Sequence, residues 1–285
     1  MYNTLITPAD LAAHLTAPDW VVVDCRHDLL NPVAGRDAYA AGHIAGAVFA
    51  DMDHQLSGAK RGADGVFRGR HPLPERGALI ETLRGWGISP VTQVVAYDAH
   101  GGMFAARLWW LLRWLGHPSV AVLDGALAAW QAQGLPVSSE APTSAHARGT
   151  IQDRAPLATT VSAAEVLNNI DAGDKQVIDA RAPDRFRGEN ETMDPVGGHI
   201  PGAKNRFFKD NLQADGRFKT ATELRTDFTA MVPDPQRAIM QCGSGVTACH
   251  NLLALEVAGM PGAALYPGSW SEWCADPARP VTIGA

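Results

Sequence analysis

Cysteine is scarce, with four residues in the 285-residue sequence: Cys25, Cys242, Cys249 and Cys274. Their spacing is not that of a disulfide scaffold. No C-x-x-C or H-x-x-x-H pair occurs, so no structural zinc site, and no other metal or cofactor, is expected. Long hydrophobic runs are missing as well. The most apolar stretch, FAARLWWLLRWLG, is short and broken by Arg107 and Arg113, so no membrane span is expected. The segment MYNTLITPADLAAHL has no basic run followed by an apolar one, so no secretory signal is expected and a reducing cytoplasm is the default location. Positive charge is not in excess either. A net charge of -6 gives no electrostatic reason to expect nucleic acid or an anionic membrane as partner.

What the sequence does contain is an internal repeat. The first half reads VVVDCRHDLL and then GRDAYAAGHIAGAVFADMD; the second reads QVIDARAPDRFRG and then GGHIPGAKNRFFKD. In each, an apolar run ends in an aspartate (Asp24, Asp179) followed by an arginine (Arg26, Arg181). A G-H-I-x-G-A segment comes next, with His43 or His199. Further along, QVVAYDAHGG parallels RAIMQCGSG, which puts Asp98 in the first half where Cys242 stands in the second. A unit this long is a duplicated domain and not a solenoid repeat.

Between the halves the chain is rich in small and polar residues with Pro142 and Pro156, a linker composition. The expected division is therefore a domain over 1–140, a linker over 141–156 and a domain over 157–285. Each half is long enough to bury its own core. Short apolar runs alternate with helical segments, which predicts an α/β fold in which each domain has a central, mainly parallel sheet flanked by helices. The near-continuous apolar runs VVVD, VVAYD, VAVLD, QVIDA, AIMQC and AALYP suit strands covered on both faces.

The chemistry is expected at AIMQCGSGVTACHNLLALEVAG. An apolar strand ends at Gln241, Cys242 opens a turn built on Gly243 and Gly245, and a helix starts at about Val246 or Thr247. Glycines let successive backbone N–H groups point into the loop, and the helix N-terminus adds its positive end. A cysteine held there is expected to have a lowered thiol pKa and to act as a nucleophile. A small buried cysteine closing a strand is the plainer alternative.

The CGSGVTAC segment resembles the active loop of the 3-mercaptopyruvate sulfurtransferases, and DARAPDRFRG, GHIPGAKN and PGSWSEW resemble further segments of that family. The resemblance implies two tandem rhodanese-like domains, the first without catalysis and the second catalytic. It implies transfer of sulfane sulfur from 3-mercaptopyruvate, through a persulfide on Cys242, to an acceptor such as cyanide, a small thiol or thioredoxin. A thiosulfate sulfurtransferase and a carrier without turnover are the alternatives. Carried over residue by residue, Cys242 is the nucleophile and Arg185 holds the anionic donor, with Gly243, Gly245, Val246 and Thr247 in the binding loop. Ser244, His71 and Asp53 resemble a proton relay that would span both domains, with His27 and His54 as weaker substitutes. Thiosulfate sulfurtransferases typically carry arginine and lysine where this chain has Gly243 and Ser244, so an uncharged loop points to a monoanionic thiol acid. Some members carry a second donor arginine where Asp194 stands here.

Several residues read as structural. His43 and His199 recur in both halves, as do the pairs Asp24–Arg26 and Asp179–Arg181. Cys249, Cys25 and Cys274 read as packing residues, and Trp109, Trp110 and Trp114 have helical spacing. A cysteine phosphatase would need an arginine where Ala248 follows the loop.

Overall fold

Runs of Val, Ile and Ala put β-branched and small side chains on both faces of the strands, so the strands must be buried between helices. The structure, a computed structural model, describes residues 1–140 and 147–284. In chain order its strands are β1 (Leu5–Ile6), β2 (Trp20–Asp24), β3 (His43–Ile44), β4 (Val48–Phe49), β5 (Gln93–Tyr97), β6 (Val120–Leu123) and β7 (Val137–Ser138) in the first half. The second half contributes β8 (Thr159–Thr160), β9 (Gln176–Asp179), β10 (Lys204–Asn205), β11 (Ala238–Gln241) and β12 (Ala264–Leu265). The helices are α1 (Pro8–His14), α2 (Ala34–Ala41), α3 (Arg76–Gly85), α4 (Ala105–Trp114), α5 (Ala126–Ala132), α6 (Ala163–Ala172), α7 (Pro183–Arg187), α8 (Ala221–Met231), α9 (Ala248–Val257) and α10 (Ser269–Trp273).

The strand order establishes the duplication. One five-stranded sheet runs β1-β6-β5-β2-β4 and the other β8-β12-β11-β9-β10, every pairing parallel. These are the same order with the same connections. Each sheet has its own core. In the first, Val22, Val95, Ala121 and Leu123 pack with Leu127 and Trp130 of α5. In the second, Val177, Ile239 and Ala264 pack with Trp270 and Trp273 of α10. Each such aliphatic side chain withdrawn from water contributes about 1.5–3 kcal/mol. Helix starts are encoded locally: Ser162 with Glu165 and Thr220 with Glu223 form reciprocal capping boxes at α6 and α8.

Two compact units result. One comprises Met1–Gly58, Pro74–Leu157 and Gln213–Phe218; the other comprises Ala59–Leu73, Ala158–Leu212 and Lys219–Ala285. Residues 59–73, numbered within the first half, thus fold with the second sheet. Of the expected linker, 141–146 lie outside the described residues. The rest is pinned within the first unit: Gly149 N–H donates to the Arg84 carbonyl at 2.8 Å and Ile151 N–H to that of Ile88 at 3.1 Å.

The repeated motif residues have the same structural tasks in both units. Asp24 receives Arg26 at 2.6 Å, and Asp179 receives Arg181 at 2.7 Å, all four side chains being buried. Each arginine also donates at 2.7 Å to a loop carbonyl, that of Gly42 or Gly198. His43 and His199 each place Nδ1 on a backbone carbonyl, at 2.8 and 2.9 Å, and stack on Tyr39 and Phe186. Trp109 and Trp110 of α4 are core residues.

Candidate active site

β11 delivers the chain to Cys242 at the carboxyl end of the second sheet, and α9 carries it away. Between them, Gly245 has φ +77°, and a Cβ there would lie 2.3 Å from the Pro267 carbonyl oxygen, so only glycine fits. The loop is fixed to the start of α10. Cys242 N–H donates to Ser269 Oγ at 3.1 Å, while the carbonyls of Cys242 and Gly243 accept from the N–H groups of Trp270 and Ser271 at 2.9 Å. Ser269 Oγ in turn donates to the Tyr266 carbonyl at 2.9 Å. Val246 is buried, Thr247 stands at the N-cap of α9, and their carbonyls accept from Cys249 and His250 N–H at 3.0 and 3.1 Å.

The corresponding loop of the first unit shows what this backbone can hold. The Asp98 carbonyl accepts from Leu127 N–H at 2.9 Å, as the Cys242 carbonyl does from Trp270 N–H, so the two positions are structurally equivalent. The buried Asp98 carboxylate accepts four backbone N–H bonds, from His100, Gly102, Phe104 and Ala105, at 2.8 to 3.0 Å. A strand-to-helix loop of this fold thus wraps an anionic group carried by the residue at its start.

Beside Cys242, the hydroxyl of Ser244 forms a buried hydrogen bond with Nδ1 of His71 at 2.8 Å. His71 comes from the 59–73 segment and belongs to the second unit. Gly69, with φ +103°, lets that segment approach closely, since a Cβ there would lie 2.9 Å from the Gly268 carbonyl oxygen. Arg70 N–H then donates to Ser271 Oγ at 3.1 Å. Asp53 lies half-buried in the first unit, where its N–H donates to Asp51 Oδ1 at 3.1 Å. His27 and His54 belong to the first unit too, and His54 is exposed.

Two guanidinium groups converge on Gly243. A Cβ there would lie 2.7 Å from Nη2 of Arg70 and 3.7 Å from both terminal nitrogens of Arg185. The loop's own side chains are uncharged, as read from the sequence, but its surroundings are not. Asp194 is ion-paired with Arg70 and, at 3.3 Å, with Arg185. Glu191 accepts from Arg185 through both oxygens, at 2.8 and 3.0 Å, and lies 3.5 Å from Arg181. Burial pushes the Asp194 carboxyl above the usual range, against the pull of Arg70 and Arg185. Burial acts the same way on Glu191, but hydrogen bonds from Arg185 and the backbone of Met193 outweigh it and hold that carboxyl low.

Sequence reasoning missed Arg70, Ser269, Ser271 and Glu191, and met Asp194 only as the place of an absent arginine. Arg70 went unnoticed although its neighbour His71, in the same RGRHPLP run, was singled out for the relay. Cys25, Cys249 and Cys274 are buried and in no disulfide. The Cys249 thiol donates to the Gly245 carbonyl at 3.3 Å, and burial pushes Cys274 up to about 11. A cavity of about 430 Å³ at the other end of the second sheet, lined by Lys175, Gln176, Lys204 and Arg237 among others, contains neither cysteine nor histidine.

Fold and loop together define a duplicated α/β protein with a cysteine at one strand-to-helix turn. The chain belongs to the rhodanese-like family: the rhodanese-like domain matches twice, over residues 7–133 and 162–276. It is similar to a probable 3-mercaptopyruvate sulfurtransferase of Pseudomonas aeruginosa, with 46% identity over 98% of both chains. It is also 37% identical to a thiosulfate sulfurtransferase of Cricetulus griseus, over 96% of this chain and 92% of the relative. The solved 3-mercaptopyruvate sulfurtransferase of Leishmania major superposes with a TM-score of 0.83 at 30% identity, over 96% of this chain and 74% of that one. The chain is accordingly a sulfurtransferase, acting between a small-molecule sulfur donor and an acceptor. No helix among the described residues is long and apolar enough to cross a membrane.

Proposed function

We propose that the chain is a 3-mercaptopyruvate sulfurtransferase with Cys242 as the sulfur-carrying residue. The observation that carries this reading is the buried Ser244–His71 hydrogen bond of 2.8 Å, two positions along the loop from Cys242. The Cys242 thiolate attacks the donor's sulfur, the sulfur–carbon bond breaks, and the bonding electrons leave with carbon as a pyruvate enolate. That carbanion must take up a proton, and the Ser244 hydroxyl, recharged through His71, supplies it. Sulfite leaving from thiosulfate needs no such proton. Arg185 receives the donor's carboxylate, the planar group its fork geometry suits. The loop backbone at Gly243, Gly245, Val246 and Thr247 stabilises the persulfide anion, a task for which the first unit offers a model, since loop N–H groups there hold the Asp98 carboxylate. An acceptor such as cyanide, a small thiol or thioredoxin then attacks the outer sulfur and restores the thiolate.

In this reading 1–140 is the non-catalytic domain, apart from residues 59–73, 141–156 is the linker and 157–285 is the catalytic domain. Asp53 is the remaining relay member, tested by Asp53→Asn. A cytoplasmic location suits an enzyme whose four cysteines form no disulfide. Steady-state kinetics with 3-mercaptopyruvate and thiosulfate side by side, with cyanide as acceptor, test the proposal. A higher kcat/KM for 3-mercaptopyruvate is expected. A preference for thiosulfate contradicts the donor assignment, and a single stoichiometric loading without turnover contradicts enzymatic transfer.

A further inference from the structure

Arg185 does not face Gly243 alone. Arg70, brought in by the 59–73 segment, comes closer to where a Cβ on Gly243 would lie, and its Nε is buried with no hydrogen-bond partner among the described residues. Asp194, whose side chain is 3% exposed, bridges the two guanidiniums. With Glu191 on Arg185, two carboxylates balance two guanidiniums, and the neighbouring Arg181–Asp179 pair adds one charge of each sign. The group beside Cys242 is thus cationic in its donors but close to neutral in sum.

We infer that Asp194, by offsetting one of the two guanidinium charges of Arg70 and Arg185, sets the site's preference for donors with one negative charge over those with two. The inference rests on the reading of Arg185 as the donor's carboxylate partner. Its physical basis is that a dianion gains twice what a monoanion gains from each unit of positive charge added nearby. A carboxylate fixed on both arginines therefore disfavours a dianion such as thiosulfate more than a monoanion such as mercaptopyruvate.

Calorimetric titration of the full chain with two anions that transfer no sulfur, pyruvate and sulfate, separates charge preference from catalysis. Asp194→Asn is expected to tighten sulfate about tenfold more than pyruvate. Arg70→Gln is expected to weaken both anions, sulfate the more strongly. The ratio of the two constants on one sample is independent of the fraction folded, so partial misfolding of a variant does not imitate the effect. An unchanged ratio in Asp194→Asn, failure of either anion to bind that variant at millimolar concentration, or unaltered binding in Arg70→Gln would each overturn the inference. Because the titration needs no turnover, it stays readable if the kinetics with 3-mercaptopyruvate fail, and that failure would count against the donor assignment alone.

Discussion

Asp98 and Cys242 occupy one position in two copies of the same fold: each follows the central strand of its sheet, and their carbonyls accept at 2.9 Å from N–H groups in the first turns of α5 and α10. One copy has a carboxylate locked into its loop by four N–H bonds, the other a thiol. The first prediction concerns that lock. Asp98→Ala leaves buried N–H donors without a partner and should cost on the order of 3 kcal/mol in chemical denaturation. Asp98→Asn, which keeps one acceptor oxygen, should cost less. Equal stability of all three proteins would show that the carboxylate does not hold the loop.

The relay gives a prediction that distinguishes donors. Ser244→Ala and His71→Gln should each lower kcat with 3-mercaptopyruvate by about 10²-fold, the lower range for general acid–base groups. With thiosulfate, whose leaving group takes no proton, both should stay within a few-fold of wild type. Parallel losses with the two donors would mean that the pair only positions the loop.

Arg185 has two tasks, and its variants should separate them. Loss of a desolvated charge partner costs about 2 to 5 kcal/mol, so Arg185→Gln should lower kcat/KM for 3-mercaptopyruvate well over tenfold. It also strands the Glu191 carboxylate, which Arg185 holds through both oxygens, so a lower melting temperature should accompany it. Arg185→Lys keeps the charge but not the fork, and it should fall between. Unchanged kinetics would move the donor's partner elsewhere, with Arg187 the next candidate.

The raised Asp194 carboxyl adds a pH dependence. The groups facing it are Arg70, Arg185, Arg181, Glu191 and Cys274; Glu191 is held low and burial keeps the Cys274 thiol protonated. As pH falls, Asp194 is therefore protonated before an ordinary aspartate, which removes one negative charge from the site. Sulfate binding should tighten on acidification through that step in the wild type and stay flatter in Asp194→Asn. Identical pH profiles would show that Asp194 does not titrate in this range.

The sheets and the active loop were legible in the sequence because their signals are local or repeated. QVIDA and AIMQC are continuous apolar runs, and the glycine turn after Cys242 is a short motif. Strands of two residues such as β1 and β10 carry too little pattern to be read. The charge beside the loop was not legible either. Gly243 and Ser244 are neutral in the sequence, while Arg70 reaches them only through the fold. His71, which the sequence assigns to the first half, packs in the second unit for the same reason. Asp194, met in the sequence as a missing arginine, is the carboxylate that ties the two arginines together.

The central claim is that Cys242 carries the transferred sulfur, and intact-mass analysis of the donor-treated enzyme with peptide mapping tests it directly. After 3-mercaptopyruvate and removal of excess donor, one added sulfur atom is expected on Cys242, lost on treatment with cyanide and absent from Cys242→Ser. Sulfur found instead on Cys25, Cys249 or Cys274, or transfer that persists in Cys242→Ser, would contradict the account.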